Sequence, residues 1–314
     1  MSIQSLTSKN PIVSVLMPVY NAERYVARAV ESILKQTFED FEFIIIDDGS
    51  TDGTLAIIEA YARRDSRIRI ISRSNRGIVA TRNQLLSESR CQYCAWLDND
   101  DVAMPRRLSQ QVEYMEQHPQ CVLLGSRILL IDRDGEPLCE MVDHITHKQI
   151  DDHLLKGSVH LYQTSAMMRR EAALEVGGYR AGYELAEDVD LYLRLAECGQ
   201  MVNLPEVLTL HRHHLSSAGH TRPQHQARAA LAAINSARLR RGLPPFQENN
   251  ADAICQVTAA DRYRQWSEWA LGYGNVSTAR KYAIAAVRQQ PFSIASWRAM
   301  YYSLHACRGF TTHL

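Results

Sequence analysis

With 314 residues, 46% of them hydrophobic and 22% charged, the chain has the make-up of a soluble globular protein. It is long enough for one large domain or for a domain with an appendage. Lysine plus arginine and aspartate plus glutamate both number 35, so bulk charge selects no partner, and nucleic acid is not expected as one. No apolar stretch is long enough to span a bilayer, and residues 1–10 are polar with no hydrophobic signal core, which predicts a cytoplasmic protein.

Strand and helix alternate through the first half. Residues 13–17 read as a short strand rich in β-branched side chains, and Val26, Val30, Ile33 and Leu34 then recur at helical spacing. Residues 42–46 form a fully buried strand. Thr51 or Asp52 caps a helix that carries Leu55, Ile58 and Ala62 on one face. A third strand at 68–71, a helix at 78–86 and a fourth strand at 91–97 follow. Pro105 then opens a helix running to about His118. This order predicts an α/β fold with a mainly parallel, twisted sheet flanked by helices. One or two further strands are expected within 121–131 and a hairpin turn at 132–135. A short strand is expected at 165–168, a loop at Gly177-Gly178-Tyr179, a helix at 188–198, and helices from Pro223 onward. Gly274-Asn275 between two helical runs resembles one tetratricopeptide unit, which alone does not make a solenoid; a helical hairpin packed on the catalytic domain is expected. Seven cysteines in a chain of this size do not read as disulfide staples, and Cys91 and Cys94 read as two half-buried thiols in a strand.

Two acidic clusters carry the chemistry. Asp98-Asn99-Asp100-Asp101 follows the apolar run ending at Leu97, and Asp47-Asp48 follows the run ending at Ile46. Carboxylates crowded at strand ends repel each other unless a cation sits among them, and open sheets bind ligands beyond the carboxyl ends of their strands. A nucleoside diphosphate with Mn2+ or Mg2+ satisfies both conditions. The chain has neither G-x-G-x-x-G after the first strand nor G-x-x-x-x-G-K-[ST], which argues against a nicotinamide dehydrogenase and a P-loop ATPase.

Pro18-Val19-Tyr20-Asn21, Asp47-Asp48-Gly49-Ser50-Thr51-Asp52, Gly77 with Thr81-Arg82-Asn83, and Leu97-Asp98-Asn99-Asp100-Asp101 resemble the signatures of family 2 glycosyltransferases, which have the GT-A fold. Gly177-Gly178-Tyr179 and Glu187-Asp188 resemble later motifs of that family. The segment from His211 to Ser217 partly resembles its Tyr-Arg-x-His-x-x-Ser element, with His211 in the tyrosine's place. The resemblance covers residues 11–217. It implies a GT-A catalytic domain at 1–220, its nucleotide-sugar half at about 11–125 and its acceptor half at about 126–220. A helical extension occupies 221–314. It further implies that Pro18, Tyr20, Asp48, Arg82 and Asp98 bind the nucleotide-diphospho-sugar, with Tyr20 stacking on the base, Asp48 accepting from a ring N–H and Asp98 at the ribose. Asp100 would ligate the metal, with His214 as a further ligand. Asp188 would be the base and Glu187 would position it or touch the acceptor. The implied reaction moves one sugar, from a UDP-sugar above other donors, to a hydroxyl of a saccharide or lipid-linked acceptor with inversion. The processive Gln-x-x-Arg-Trp element is absent.

Simpler roles compete with these. Asp48 can cap the following helix, Glu187-Asp188 can be an acidic first turn favoured by the helix dipole, and the histidines can be surface residues. A sugar nucleotidyltransferase shares the crevice but carries a glycine-rich, arginine-containing loop where this chain has Pro-Val-Tyr-Asn. An inactive scaffold acting through its helical tail would have no need of Asp48, Asp98, Asp100 and Asp188. Between Glu206 and Glu248 the chain is free of acidic residues and rich in arginine, either as a solvated helix face or as a surface for peripheral contact with an anionic membrane.

Overall fold

The computed structural model describes residues 11–141, 145–246 and 257–306; the polar stretch 1–10 lies outside the described residues. The first half comprises β1 (Val13–Val19), α1 (Val26–Leu34), β2 (Phe41–Asp47), α2 (Thr54–Ala62), β3 (Ile68–Ser72), α3 (Ile78–Glu88) and β4 (Tyr93–Trp96). Then come β5 (Val102–Ala103), α4 (Arg107–Gln117), β6 (Cys121–Ile131), β7 (Pro137–Met141), α5 (His147–Leu154), β8 (Met167–Arg169), α6 (Arg170–Glu175), α7 (Glu187–Leu195) and β9 (Gln200–Arg212). The helical remainder is α8 (Ala218–Thr221), α9 (Pro223–Arg240), α10 (Ala259–Gly272), α11 (Val276–Gln289) and α12 (Ile294–His305).

Nine strands form one sheet in the order β3-β2-β1-β4-β8-β6-β9-β5, with β7 paired to β6. The strands β1 to β4 run parallel, and beyond them the sheet is mixed: β8 is antiparallel to both β4 and β6, while β9 is parallel to β6. All of β1 is buried because helices cover both faces. Val13, Val15, Met17 and Val19 face α1 through Val26, Ala29, Val30 and Ile33, whereas Leu16 joins Ile44, Ile46 and Trp96 on the other side. Each such fully buried aliphatic side chain contributes roughly 1.5–3 kcal/mol. Cys91 and Cys94 are buried outright rather than half-buried, and burial pushes both thiols up to about 12.

Local details follow from the same rules. Gly53 is the residue before α2, and of the two expected caps it is Asp52 that accepts from the Thr54 N–H, at 3.0 Å; the Thr51 N–H instead donates to Asn21 Oδ1 at 2.8 Å. The helix after Pro105 starts at Arg107, and 121–131 is one strand, not two. The expected turn at 132–135 closes the β6–β7 hairpin.

The C-terminal helices are seated on the sheet domain. α9 buries Ala229, Ala233, Ile234 and Ala237 in the cluster that holds Leu191 and Leu195 of α7. The α10–α11 pair buries Trp266, Ala270, Ala279 and Tyr282 against Ile128 and Leu130 of β6 and Leu138 of β7.

Candidate active site

The parallel register puts the ends of β1 and β2 side by side, with Val19 opposite Asp47, and places Trp96 of β4 beside Leu16. The segments that leave these strands therefore meet. Pro18, Tyr20, Asp48, Arg82, Asp98, Asp100, Glu187 and Asp188 all line one open cavity of about 1290 Å³.

Asp48 is held rigidly. Its carboxylate accepts from the backbone N–H groups of Arg76 and Gly77, both at 2.9 Å, and pairs with the Arg73 guanidinium. It therefore caps no part of α2. Asp47 is a brace: its oxygens accept from the Ser50 N–H at 3.1 Å and the Ser72 hydroxyl at 2.8 Å. Gly49 follows with φ +79, and a Cβ there would lie 2.8 Å from the Asn75 backbone nitrogen, so glycine is required for the loop to close over itself. Tyr20 stands half-exposed beside this loop, as a ring available for stacking must.

The acidic cluster divides into different environments. Asn99 Nδ2 donates to the Pro18 carbonyl at 3.0 Å and so fastens the cluster to the end of β1. Asp101 is wholly buried; it accepts from the Arg212 N–H at 2.7 Å and lies 3.0 Å from His211 Nδ1. Burial alone would depress the His211 imidazole, but Asp101 raises it to about 9. Asp98 and Asp100 remain on the cavity wall. Burial, with the Asp100 charge, pushes the Asp98 carboxyl up, against Arg82. Asp100 Oδ2 lies 3.0 Å from His214 Nε2, and the His214 ring stacks on Tyr25 with centroids 5.2 Å apart. Thus of the three histidines, His214 meets the carboxylate that the sequence pairs it with, His211 serves Asp101, and His213 is driven well below its ordinary range by burial. His213 and His214 lie just past the end of β9 rather than on it.

α7 begins with Glu187 and Asp188, which line the same cavity. Arg82, 7% exposed, reaches from α3: its Nη1 donates to Glu187 Oε1 at 2.6 Å and its Nη2 lies 3.4 Å from Asp98 Oδ1. Burial would lower the Arg82 guanidinium, but Glu187 and Asp98 outweigh it and hold it raised. Glu187 Oε2 is buried with no partner among the described residues. Burial first and the Glu187 charge second push the Asp188 carboxyl up to about 6, against Arg82 and a hydrogen bond from the Val189 N–H. A carboxylate poised there is suited to accept a proton near neutral pH. The preceding loop is fixed by Asn83, which donates to the Tyr179 carbonyl at 2.7 Å and accepts from its N–H at 2.9 Å.

Residues that the sequence patterns did not single out complete the cavity. Leu185 has φ +73, and its carbonyl accepts from Gln226 Nε2 of α9 at 3.2 Å. Gln226 and Ala230 of α9 and Arg262 of α10 line the cavity, so the helical extension forms part of its wall. Arg212 links regions: Nε donates to the Asp100 carbonyl at 2.7 Å, and Nη1 donates to the Asp132 carbonyl at 3.0 Å. The Asp132 carboxylate in turn accepts from Lys281 Nζ at 2.5 Å and from the Tyr282 hydroxyl at 2.9 Å, both on α11. The arginine-rich segment is largely tied into the fold. Arg212 is buried, Arg238 donates to the Leu155 and Pro244 carbonyls, Arg240 pairs with Glu197, and Arg241 pairs with Asp151 and Glu197.

A mixed, helix-flanked sheet with an acidic crevice at its parallel strand ends is the architecture of a GT-A glycosyltransferase. Solved structures share it. TarS of S. aureus in complex with UDP-GlcNAc superposes with a TM-score of 0.58 at 18% identity, covering 93% of this chain and 88% of that one. The mannosyltransferase PcManGT from Pyrobaculum calidifontis, in complex with GDP-Man and Mn2+, gives 0.56 at 17% identity over 95% of this chain and 80% of the other. EpsE of Bacillus subtilis (strain 168) is 37% identical over 206 residues, which are 64% of this chain and 73% of EpsE. The family described as Glycosyl transferase family 2 matches residues 14–177, and the chain belongs to that family.

Proposed function

We propose that this glycosyltransferase moves one sugar from a nucleotide-diphospho-sugar, a UDP-sugar, to a hydroxyl of a saccharide or lipid-linked acceptor by single displacement with inversion. The observation that carries the reading is the convergence of Asp48, Asp98, Asp100, Glu187 and Asp188 on one cavity, with Arg82 between Asp98 and Glu187. Tyr20 offers its ring to the base, Pro18 shapes the slot, and Asp48 accepts from a ring N–H. Asp98 receives the ribose hydroxyls, with Arg82 holding Asp98 in place. Asp188 takes the proton from the acceptor hydroxyl, which frees the oxygen to attack the anomeric carbon as the bond to the diphosphate breaks. Glu187, through its unpartnered Oε2, orients a sugar hydroxyl next to that base.

The residues fit a divalent cation, Mn2+ or Mg2+. Asp100 lines the cavity and its Oδ2 lies 3.0 Å from His214 Nε2, which stands behind it, and such ions take one or two protein ligands plus phosphate oxygens and water. When bound, the ion supplies positive charge to the departing diphosphate. Within this reading, residues 1–220 carry donor binding and chemistry, and 221–314 form the extension that walls the acceptor side. Among the described residues no helix is long and apolar enough to cross a membrane; in this reading the enzyme works from the cytoplasm and meets a membrane at its surface.

Calorimetry with UDP, GDP, TDP and CDP, each with manganese and with chelator, tests the donor class. The expected result is metal-dependent binding of UDP that is lost in Asp100→Ala. Failure of every diphosphate to bind would remove the nucleotide reading.

A further inference from the structure

The outermost helix is built with its polarity reversed. On α12 the residues turned into the protein are small or hydroxylic, and Ser296 and Ser303 are fully buried. The large side chains point outward: Ile294 is 86% exposed, Trp297 54% and Tyr301 56%, and Phe292 in the preceding turn is 98% exposed. Ile294, Trp297 and Tyr301 recur at helical spacing, so they form one stripe. The helix is firmly attached from behind. Arg264 Nη1 of α10 donates to Ser296 Oγ at 3.0 Å and Arg280 Nε of α11 donates to the Ser303 carbonyl at 2.9 Å, while on the outer side Trp297 Nε1 donates to the Pro291 carbonyl of the preceding turn at 2.7 Å. A rigid aromatic stripe left in water is a contact surface.

Charge decides the partner. Neither α11 nor α12 carries an acidic residue, Lys281 is already paired with Asp132 and Asp134, and Arg288 and Arg298 stand exposed. Pairing two copies through this face about a two-fold axis would bring like charges together with no carboxylate from α11 or α12 to relieve them. An anionic bilayer has the opposite sign. Tryptophan and tyrosine settle at the headgroup level, apolar side chains enter the acyl boundary, and flanking arginines meet lipid phosphates. We infer that the α11–α12 turn and the outer face of α12 are a docking surface for an anionic lipid membrane. In the arginine-rich segment after Ser217, by contrast, Arg238, Arg240 and Arg241 are held by carbonyls and carboxylates of the chain itself. The docking surface deepens the reading of a lipid-linked acceptor and rests on it for its purpose.

The test is co-sedimentation of the full chain with vesicles of phosphatidylcholine alone and with about 30% phosphatidylglycerol added. Two variants are compared: Ile294→Ser/Trp297→Ser/Tyr301→Ser and Arg288→Glu/Arg298→Glu. The wild type is expected to bind the anionic vesicles, to release in about 0.5 M salt, and to show Trp297 fluorescence quenched by brominated lipid. Each variant is expected to lose binding about tenfold or more. Absence of binding to anionic vesicles, or binding unchanged in both variants, would overturn the inference. So would a dimer in light scattering that the triple variant abolishes, since that assigns the face to a second copy. If the triple variant does not fold, the charge-reversal variant decides, because its side chains are exposed. UDP calorimetry on the same samples needs no vesicle and vesicle binding needs no donor, so failure of the donor reading stays distinct from failure of this one.

Discussion

Replacing Asp188 with asparagine is expected to make the protein more stable while making it inactive. The Asp188 carboxyl is pushed from 3.8 up to about 6 by burial and by Glu187. Because the folded state binds this proton more tightly than the unfolded chain, the ionised form opposes folding. Below pH 4 both states are protonated and the penalty vanishes; it grows between 4 and 6 and is complete above 6, where it reaches up to about 3 kcal/mol. Asparagine keeps the shape without the charge. At pH 8 Asp188→Asn should therefore raise the melting temperature by about 5 °C, and the gain should fade as the pH is lowered toward 4. The rate of nucleotide release from the matched donor and acceptor should fall by about 100-fold or more in the same protein. Thermal denaturation across that pH range is the assay. A variant that is destabilised at pH 8, or whose gain does not shrink on acidification, would show that Asp188 carries no stored electrostatic opposition to folding.

Three other outcomes follow from the same geometry. Arg82→Met leaves Glu187 without the guanidinium that now neutralises it and should lower stability by about 3–5 kcal/mol, read from urea unfolding, with Arg82→Lys recovering part of the loss. Glu187→Gln removes a charge that raises Asp188, so the acid limb of the pH–rate profile should move to lower pH; a limb that stays near 6 would leave burial as the whole cause. Gly178 has φ +64, and a Cβ there would sit 2.6 Å from Asn83 Oδ1, so Gly178→Ala should cost about 1–3 kcal/mol in thermal unfolding and displace the loop that leads to α7.

The acidic strand ends of the crevice were legible in the sequence because their logic is local. Continuous apolar runs ending in Asp47-Asp48 and in Asp98 to Asp101 are strands with acidic tips, and the alternation of strand and helix sends those tips to one edge. The rest of the crevice was less legible. Arg82 and Glu187 are 105 residues apart and meet only because α3 and α7 pack at the same end of the sheet. Asp101 looks like Asp100 in the sequence, yet it lies beneath the wall and anchors Arg212 and His211. Nothing in the spacing of α9 or α10 tells which of their faces turns inward, so Gln226 and Arg262 could be placed at the cavity only by the fold. For the same reason the arginines after Ser217 read as a surface, although most are bonded to carboxylates or carbonyls of the chain itself.

The link through Arg212 and Asp132 bears on how the enzyme matures. A ribosome finishes Asp132 about 150 residues before it delivers Lys281 and Tyr282, and Asp100 earlier still. Until α11 docks, the Asp132 carboxylate has neither of those partners, and the guanidinium that steadies the Asp100 carbonyl rests on an unsupported turn. The acidic loop thus gains its full set of supports only once α11 has been made. A nascent chain that already possesses Asp48, Asp98 and Asp100 would still lack the support that α11 gives, through Asp132 and Arg212, to the Asp100 carbonyl.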